Sequence, residues 1–120
     1  MKKILSIVIP TYNMEQLLPL CLDSLVGSAA ATALEIVVVN DGSKDGSLAV
    51  AQRYAESYPD VVRVIDKQNG NYGSTINAAL PTLVGEYVKI LDADDTFDTA
   101  AIAPFVGYLE QISGADMVVG

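Results

Sequence analysis

The chain has 120 residues, enough for one compact domain, and 51% of them are hydrophobic against 18% charged, which supports a packed core and argues against disorder. Its formal net charge of -8, with no histidine, excludes histidine-based catalysis and speaks against nucleic acid as a partner, while still admitting an anionic ligand bridged by a cation. A single cysteine, Cys21, rules out an intrachain disulfide and a cysteine-built zinc site.

The chain opens on Met1-Lys2-Lys3-Ile4-Leu5, superficially like a signal peptide, but the apolar run stops at Pro10 and no small-residue cleavage site follows. No stretch approaches the roughly 20 apolar residues of a membrane span. The expected location is the cytoplasm, or the inner membrane face as a peripheral protein. Ile4 to Ile9 is the first predicted strand, followed by a helix in which Leu18, Cys21, Leu22 and Leu25 repeat at helical spacing. Glu35 to Val39 is the second strand, and Leu48, Ala51, Tyr54, Ala55 and Tyr58 mark the next helix. Val61 to Ile65 is the third strand, before a helix carrying Ile76, Ala79, Leu80 and Leu83 that Pro81 is expected to kink or restart. Tyr87 to Leu91 is the fourth strand, and a helix with Phe105, Val106, Leu109 and Ile112 on one face follows, Pro104 falling near its first turn. Ala115 to Gly120 reads as a fifth strand just begun, so the chain is expected to be truncated after about five strands, with an open edge that invites a homodimer. Apolar strands alternating with helices predict a doubly wound, mostly parallel α/β sheet forming a single domain over 1–120.

Ligands bind open parallel sheets beyond the carboxyl ends of the strands, so those ends are the informative places. The first runs into Pro10-Thr11-Tyr12-Asn13, where Pro10 is expected to end the ladder, Asn13 to cap a helix and Tyr12 to stack on a planar base or on its own loop. The second runs into Asn40-Asp41-Gly42-Ser43, with Asp45 or Ser47 as helix cap and Asp41 placed to accept hydrogen bonds from a base or ribose. The third leads to Asn69-Gly70-Asn71-Tyr72-Gly73-Ser74, a glycine-bearing loop opening a helix, which matches neither the phosphate-loop pattern nor the dinucleotide fingerprint. The fourth leads to Asp92-Ala93-Asp94-Asp95. Two unit charges about 4 Å apart repel by roughly 1 kcal/mol in water and roughly 4 kcal/mol at an effective dielectric of 20. A divalent cation with oxygen ligands removes that penalty. The alternative is a turn, with Asp98 capping the next helix.

Together the motifs are specific. Ser6 to Asn13, Val37 to Ser43 with Asp45-Gly46-Ser47, Asn69 to Asn77 and Gly85 to Asp95 resemble, in order and spacing, the signatures of the family 2 glycosyltransferases of GT-A fold. The resemblance covers nearly the whole chain. It implies that Pro10, Thr11 and Tyr12 line a base pocket, with Glu15 near the nucleotide, and that Asp41 accepts a hydrogen bond from the base. It further implies that Lys67 and Gly73 flank the nucleotide, that Asp92 and Ala93 lie beside the ribose or sugar, that Asp94 ligates Mg²⁺ or Mn²⁺, and that Asp95 supports the metal shell or the donor sugar. The implied donor is a nucleotide-diphosphate sugar, UDP being the family's commonest nucleotide. The implied acceptor is a saccharide or lipid-linked molecule, as in cell-wall or polysaccharide synthesis. Inverting members keep an Asp or Glu base in the second half of the domain, which these 120 residues do not contain, so the fragment alone is expected to be inactive.

The implied reaction is displacement at the anomeric carbon, with the metal neutralising the departing diphosphate. Lys67 and one helix N-terminus, worth roughly 0.3–1 kcal/mol at an exposed site, would not offset repulsion between a diphosphate and four aspartates. A receiver domain would place an acidic pair after the first strand and a phosphoacceptor aspartate after the third, where this chain has Pro-Thr-Tyr-Asn and Lys-Gln-Asn-Gly. A nucleotidyltransferase would carry a glycine-rich basic first loop, which is missing here. A binding-only fragment that holds nucleotide without turnover is the remaining alternative.

Overall fold

The computed structural model describes residues 3–28, 31–70, 72–94 and 99–113. Strands β1 (Leu5–Thr11), β2 (Leu34–Asp41), β3 (Val62–Lys67) and β4 (Tyr87–Ile90) form one sheet in the order β3-β2-β1-β4. Every pairing is parallel. Helices α1 (Leu18–Val26), α2 (Ser47–Ser57), α3 (Tyr72–Ala79) and α4 (Thr99–Ser113) alternate with them.

Alternation along the strands sends side chains to two faces. Leu5, Ile7, Ile9, Leu34, Ile36 and Val38 pack in one cluster with Leu18, Leu22 and Leu25 of α1, Val50 and Ala51 of α2, and Ile102, Val106 and Leu109 of α4. Val8, Val37 and Val39 face the other way, against Ile76 and Ala79 of α3 and Leu83 beyond it. Both faces of β1 and β2 are therefore covered, which is why their sequences read as unbroken Val/Ile runs. Cys21 is buried in the first cluster.

Several boundaries differ from expectation. The first three strands run to Thr11, Asp41 and Lys67, because the ladder continues through polar pairs, Thr11 beside Asn40 and Asp41 beside Lys67. Pro10 does not end its strand. Carbonyls of even-numbered residues point toward β4: that of Ile4, just before β1, accepts from Tyr87 N–H and that of Val8 from Leu91 N–H, both at 2.9 Å. The amide proton that Pro10 lacks would point past the end of β4, where no strand residue pairs with it. Pro81 does interrupt its helix: α3 stops at Ala79 and a 3₁₀ turn holds Leu80–Thr82. Pro104 lies inside α4 rather than in its first turn, because helix-favouring Ala100, Ala101 and Ala103 extend the helix backward beyond the apolar repeat. The expected fifth strand at 115–120 and the Asp98 cap lie outside the described residues. No helix among the described residues is long and apolar enough to cross a membrane.

Candidate functional site

After β1 the chain moves outward to β2 and β3, then returns across β1 to lay β4 on its other side. The carboxyl ends of β1 and β4 thus flank the point where the winding reverses, the place where doubly wound sheets open a crevice. A cavity of about 380 Å³ lies there, within the usual size of small-ligand sites. Pro10, Thr11, Tyr12 and Met14 line it from the end of β1, Asp41 from β2, Thr75 from α3, and Asp92, Ala93 and Asp94 from the segment after β4.

Each wall has a local cause. Thr11 is buried, its hydroxyl donating to Ile9 C=O at 3.1 Å, while Tyr12 is 41% exposed and available to a planar ligand. Beyond β4, where the chain enters a turn at Ala93 and Asp94, burial alternates: Leu91 and Ala93 sink into the core, while Asp92 and Asp94 stay exposed. The buried Asp41 carboxylate is held by the third strand and its loop. Its Oδ1 accepts from Lys67 Nζ at 2.8 Å and from Gly70 N–H at 2.9 Å, and Asn69 Nδ2 donates to the Asp41 carbonyl at 2.9 Å. Lys67 Nζ also donates to Gln68 C=O at 2.6 Å and Ser74 Oγ at 3.0 Å. Both side-chain contacts fall on Oδ1, so among the described residues Oδ2 is the oxygen left to accept from a ligand.

Most of the residues expected at a site therefore meet at one cavity: Pro10, Thr11, Tyr12, Asp41, Asp92, Ala93 and Asp94. Glu15, Lys67 and Gly73 do not line it. Glu15 turns its Oε1 to the Gly46 N–H at 2.8 Å and lines a neighbouring hollow with Asn13, Gln16 and Asp45. Lys67 reaches the cavity through Asp41, and Gly73 is exposed on the first turn of α3. Asp95 lies outside the described residues. Asn13 is not the cap of α1, which begins at Leu18; its Oδ1 instead accepts the Lys44 N–H at 2.8 Å. The cap position of α2 is held by Gly46 rather than by Asp45 or Ser47; Asp45 stands just before it, its Oδ1 accepting from Ser47 N–H at 2.9 Å and Ser47 Oγ at 2.6 Å. Burial opposes the ionised form of Asp45, but these bonds and the Glu15 N–H outweigh it and hold its pKa below 3.8.

No group of three or more His, Cys, Asp or Glu that would hold a metal ion exists among the described residues. The exposed carboxylates of Asp92 and Asp94 are nonetheless hard oxygen donors on the wall of a cavity sized for a ligand. Such a donor set suits a cation whose remaining ligands come from phosphate oxygens and water.

The family model "Glycosyl transferase family 2" matches residues 6–120. The chain belongs to this family. It is 41% identical over 91 residues to the uncharacterized glycosyltransferase YibD of Escherichia coli K12, covering 76% of this chain and 26% of that one. Two solved structures share the fold. S. aureus TarS 1-349 in complex with UDP-GlcNAc superposes with TM-score 0.75 at 29% identity, over 94% of this chain and 32% of that one. The mannosyltransferase PcManGT of Pyrobaculum calidifontis, in complex with GDP-Man and Mn²⁺, gives 0.77 at 28% identity, over 100% and 34%. The family 2 chain thus spans about a quarter to a third of the length of these relatives.

Met14 and Thr75 line the cavity without having been anticipated. Met14 carries no chemical signal, since a thioether reads as core filler. Thr75 had one: it sits a turn into the helix whose opening loop holds Asp41.

Proposed function

We propose that this chain is the nucleotide-sugar-binding part of a metal-dependent glycosyltransferase. The observation that carries the reading is the convergence of Tyr12, Asp41 and Asp92 to Asp94 on one cavity at the reversal of the sheet. Tyr12 stacks on the base. Asp41 Oδ2 accepts from a ring N–H, which uracil and guanine offer and cytosine and adenine do not at the matching position. That preference accords with relatives that bind UDP-GlcNAc and GDP-Man, and UDP is the nucleotide we assign. Asp92 contacts the ribose or sugar. Asp94 holds a Mg²⁺ or Mn²⁺ ion, with Asp95 supporting it. When bound, that ion neutralises charge gained by the departing diphosphate. The general base and the acceptor surface, for a saccharide or lipid-linked acceptor, are assigned to the length that the relatives have and this chain does not.

Calorimetric titration of UDP tests the assignment. Mn²⁺ is expected to tighten UDP binding about tenfold, equivalent to about 1.4 kcal/mol. Asp94→Asn abolishes that gain, and Asp41→Asn weakens UDP binding with or without metal. Equal affinity with and without Mn²⁺ defeats the metal role, and an unaltered Asp41→Asn defeats the base contact.

A further inference from the structure

Tyr12 reaches the cavity from a segment with little regular structure, since β1 ends at Thr11 and α1 begins only at Leu18. What fixes that segment is the loop beside it, between β2 and α2. The Asn13 backbone N–H donates to Ser43 Oγ at 3.0 Å, and Asn13 Oδ1 accepts the Lys44 N–H at 2.8 Å. One residue further on, Met14 N–H donates to Ser47 Oγ at 2.8 Å. Glu15 N–H donates to Asp45 Oδ2 at 3.2 Å, and Gly46 N–H returns to Glu15 Oε1 at 2.8 Å. Asn13 is also the one non-glycine residue with positive φ, 53°, among the described residues. Asparagine tolerates that region better than other side chains. The turn after Tyr12 is thus set by a backbone state and by a reciprocal pair of bonds to a second loop.

That second loop begins at Asp41. Ser43 follows Asp41 across Gly42, whose φ of 70° makes the turn. We propose that Asn13 is a positioning residue whose paired bonds to Ser43 and Lys44 hold Tyr12 and Asp41 at a fixed separation, and so set how sharply the cavity discriminates between nucleobases. The proposal rests on the nucleotide reading above. A stacking ring and a hydrogen-bond acceptor on separate loops tell bases apart only if their mutual placement is fixed. The bonds that connect the two loops do this at the position adjoining Tyr12. No contact to the phosphates or the metal is required of Asn13.

The test is the affinity of the protein for UDP, GDP, CDP and ADP in the presence of Mn²⁺, for wild type, Asn13→Gly and Ser43→Ala. Asn13→Gly keeps access to positive φ while deleting the side-chain acceptor of the Lys44 N–H. Ser43→Ala removes the partner from the opposite loop. The wild type is expected to prefer one or two bases. Each variant is expected to remain folded, with a melting temperature lowered by no more than several degrees, and to shrink the ratio of best to worst nucleotide by about fivefold or more, the worth of one hydrogen bond. Variants that weaken all four nucleotides alike, or leave the ratio unchanged, overturn the proposal. Should Asn13→Gly fail to fold, Ser43→Ala decides. A wild type that binds none of the four, or all equally, refutes the underlying nucleotide reading instead, a pattern visible before any variant is measured.

Discussion

Glu35 shows how much a single buried carboxylate can organise. It is 6% exposed, at the amino end of β2, on the face that α3 covers. Its Oε1 accepts from Ser6 Oγ at 2.7 Å and Val84 N–H at 2.9 Å, and its Oε2 from Arg63 Nε at 3.1 Å. Arg63 Nη2 continues to Thr82 C=O at 3.0 Å, and Gly85 N–H donates to Ser6 Oγ at 2.8 Å. Burial pushes the Glu35 pKa up, but Ser6, Val84 and the Arg63 guanidinium together hold it below the ordinary 4.5. A depressed carboxylate stabilises the fold above its unfolded pKa, and that contribution fades as pH falls through the lower folded value. Glu35→Gln is therefore expected to cost about 1–3 kcal/mol at pH 7, the cost of leaving buried partners unsatisfied. In urea titrations the gap between wild type and variant narrows below about pH 4.5; a gap that is unchanged at low pH contradicts this account.

Among the elements, the β2–α2 turn tolerates little change. Gly42 has φ of 70°, and a Cβ added there would stand 2.6 Å from the Asn69 backbone nitrogen. Strain in the left-handed region alone is about 1–2 kcal/mol, and backbone cannot swing aside as a side chain can. Gly42→Ala is expected to lower the urea midpoint by at least that equivalent and to displace the loop that clamps Asp41, weakening UDP binding as well. A variant as stable as wild type would show that the turn relaxes freely. The same turn marks where sequence reading runs out. The Val/Ile runs announce each strand, because burial on both faces demands them. Their ends are harder to place, because Thr11, Asp41 and Lys67 look like loop residues while the parallel ladder still pairs them. The cavity's aspartates and Tyr12 are legible because charge and an exposed ring at strand ends have few structural uses. The partners of Glu15 and Lys67 are not, because both bond across loops distant in sequence, and no spacing rule encodes such contacts.

For the molecule as a whole, the two edges of the described sheet differ. The β3 edge carries partly buried residues, whereas Val88 and Ile90 of β4 are 47% and 39% exposed. Among the described residues β4 has β1 as its one strand neighbour. An exposed apolar edge favours pairing with another chain. Sedimentation of this 120-residue chain is expected to show concentration-dependent association, and Val88→Lys to shift it toward monomer. A wild-type chain that stays monomeric at high concentration would dismiss the edge as an association site.

The missing amide proton of Pro10 has a last consequence. Because β1 offers no donor toward β4 at that position, the ladder past the Val8–Leu91 bond keeps the Pro10 carbonyl as an acceptor but lacks the matching amide. Another residue there would present an N–H in register with the Leu91 carbonyl, one bond more than proline allows. The imino acid withholds that bond at the rim, where Pro10 on one side and Asp92 to Asp94 on the other wall the same cavity.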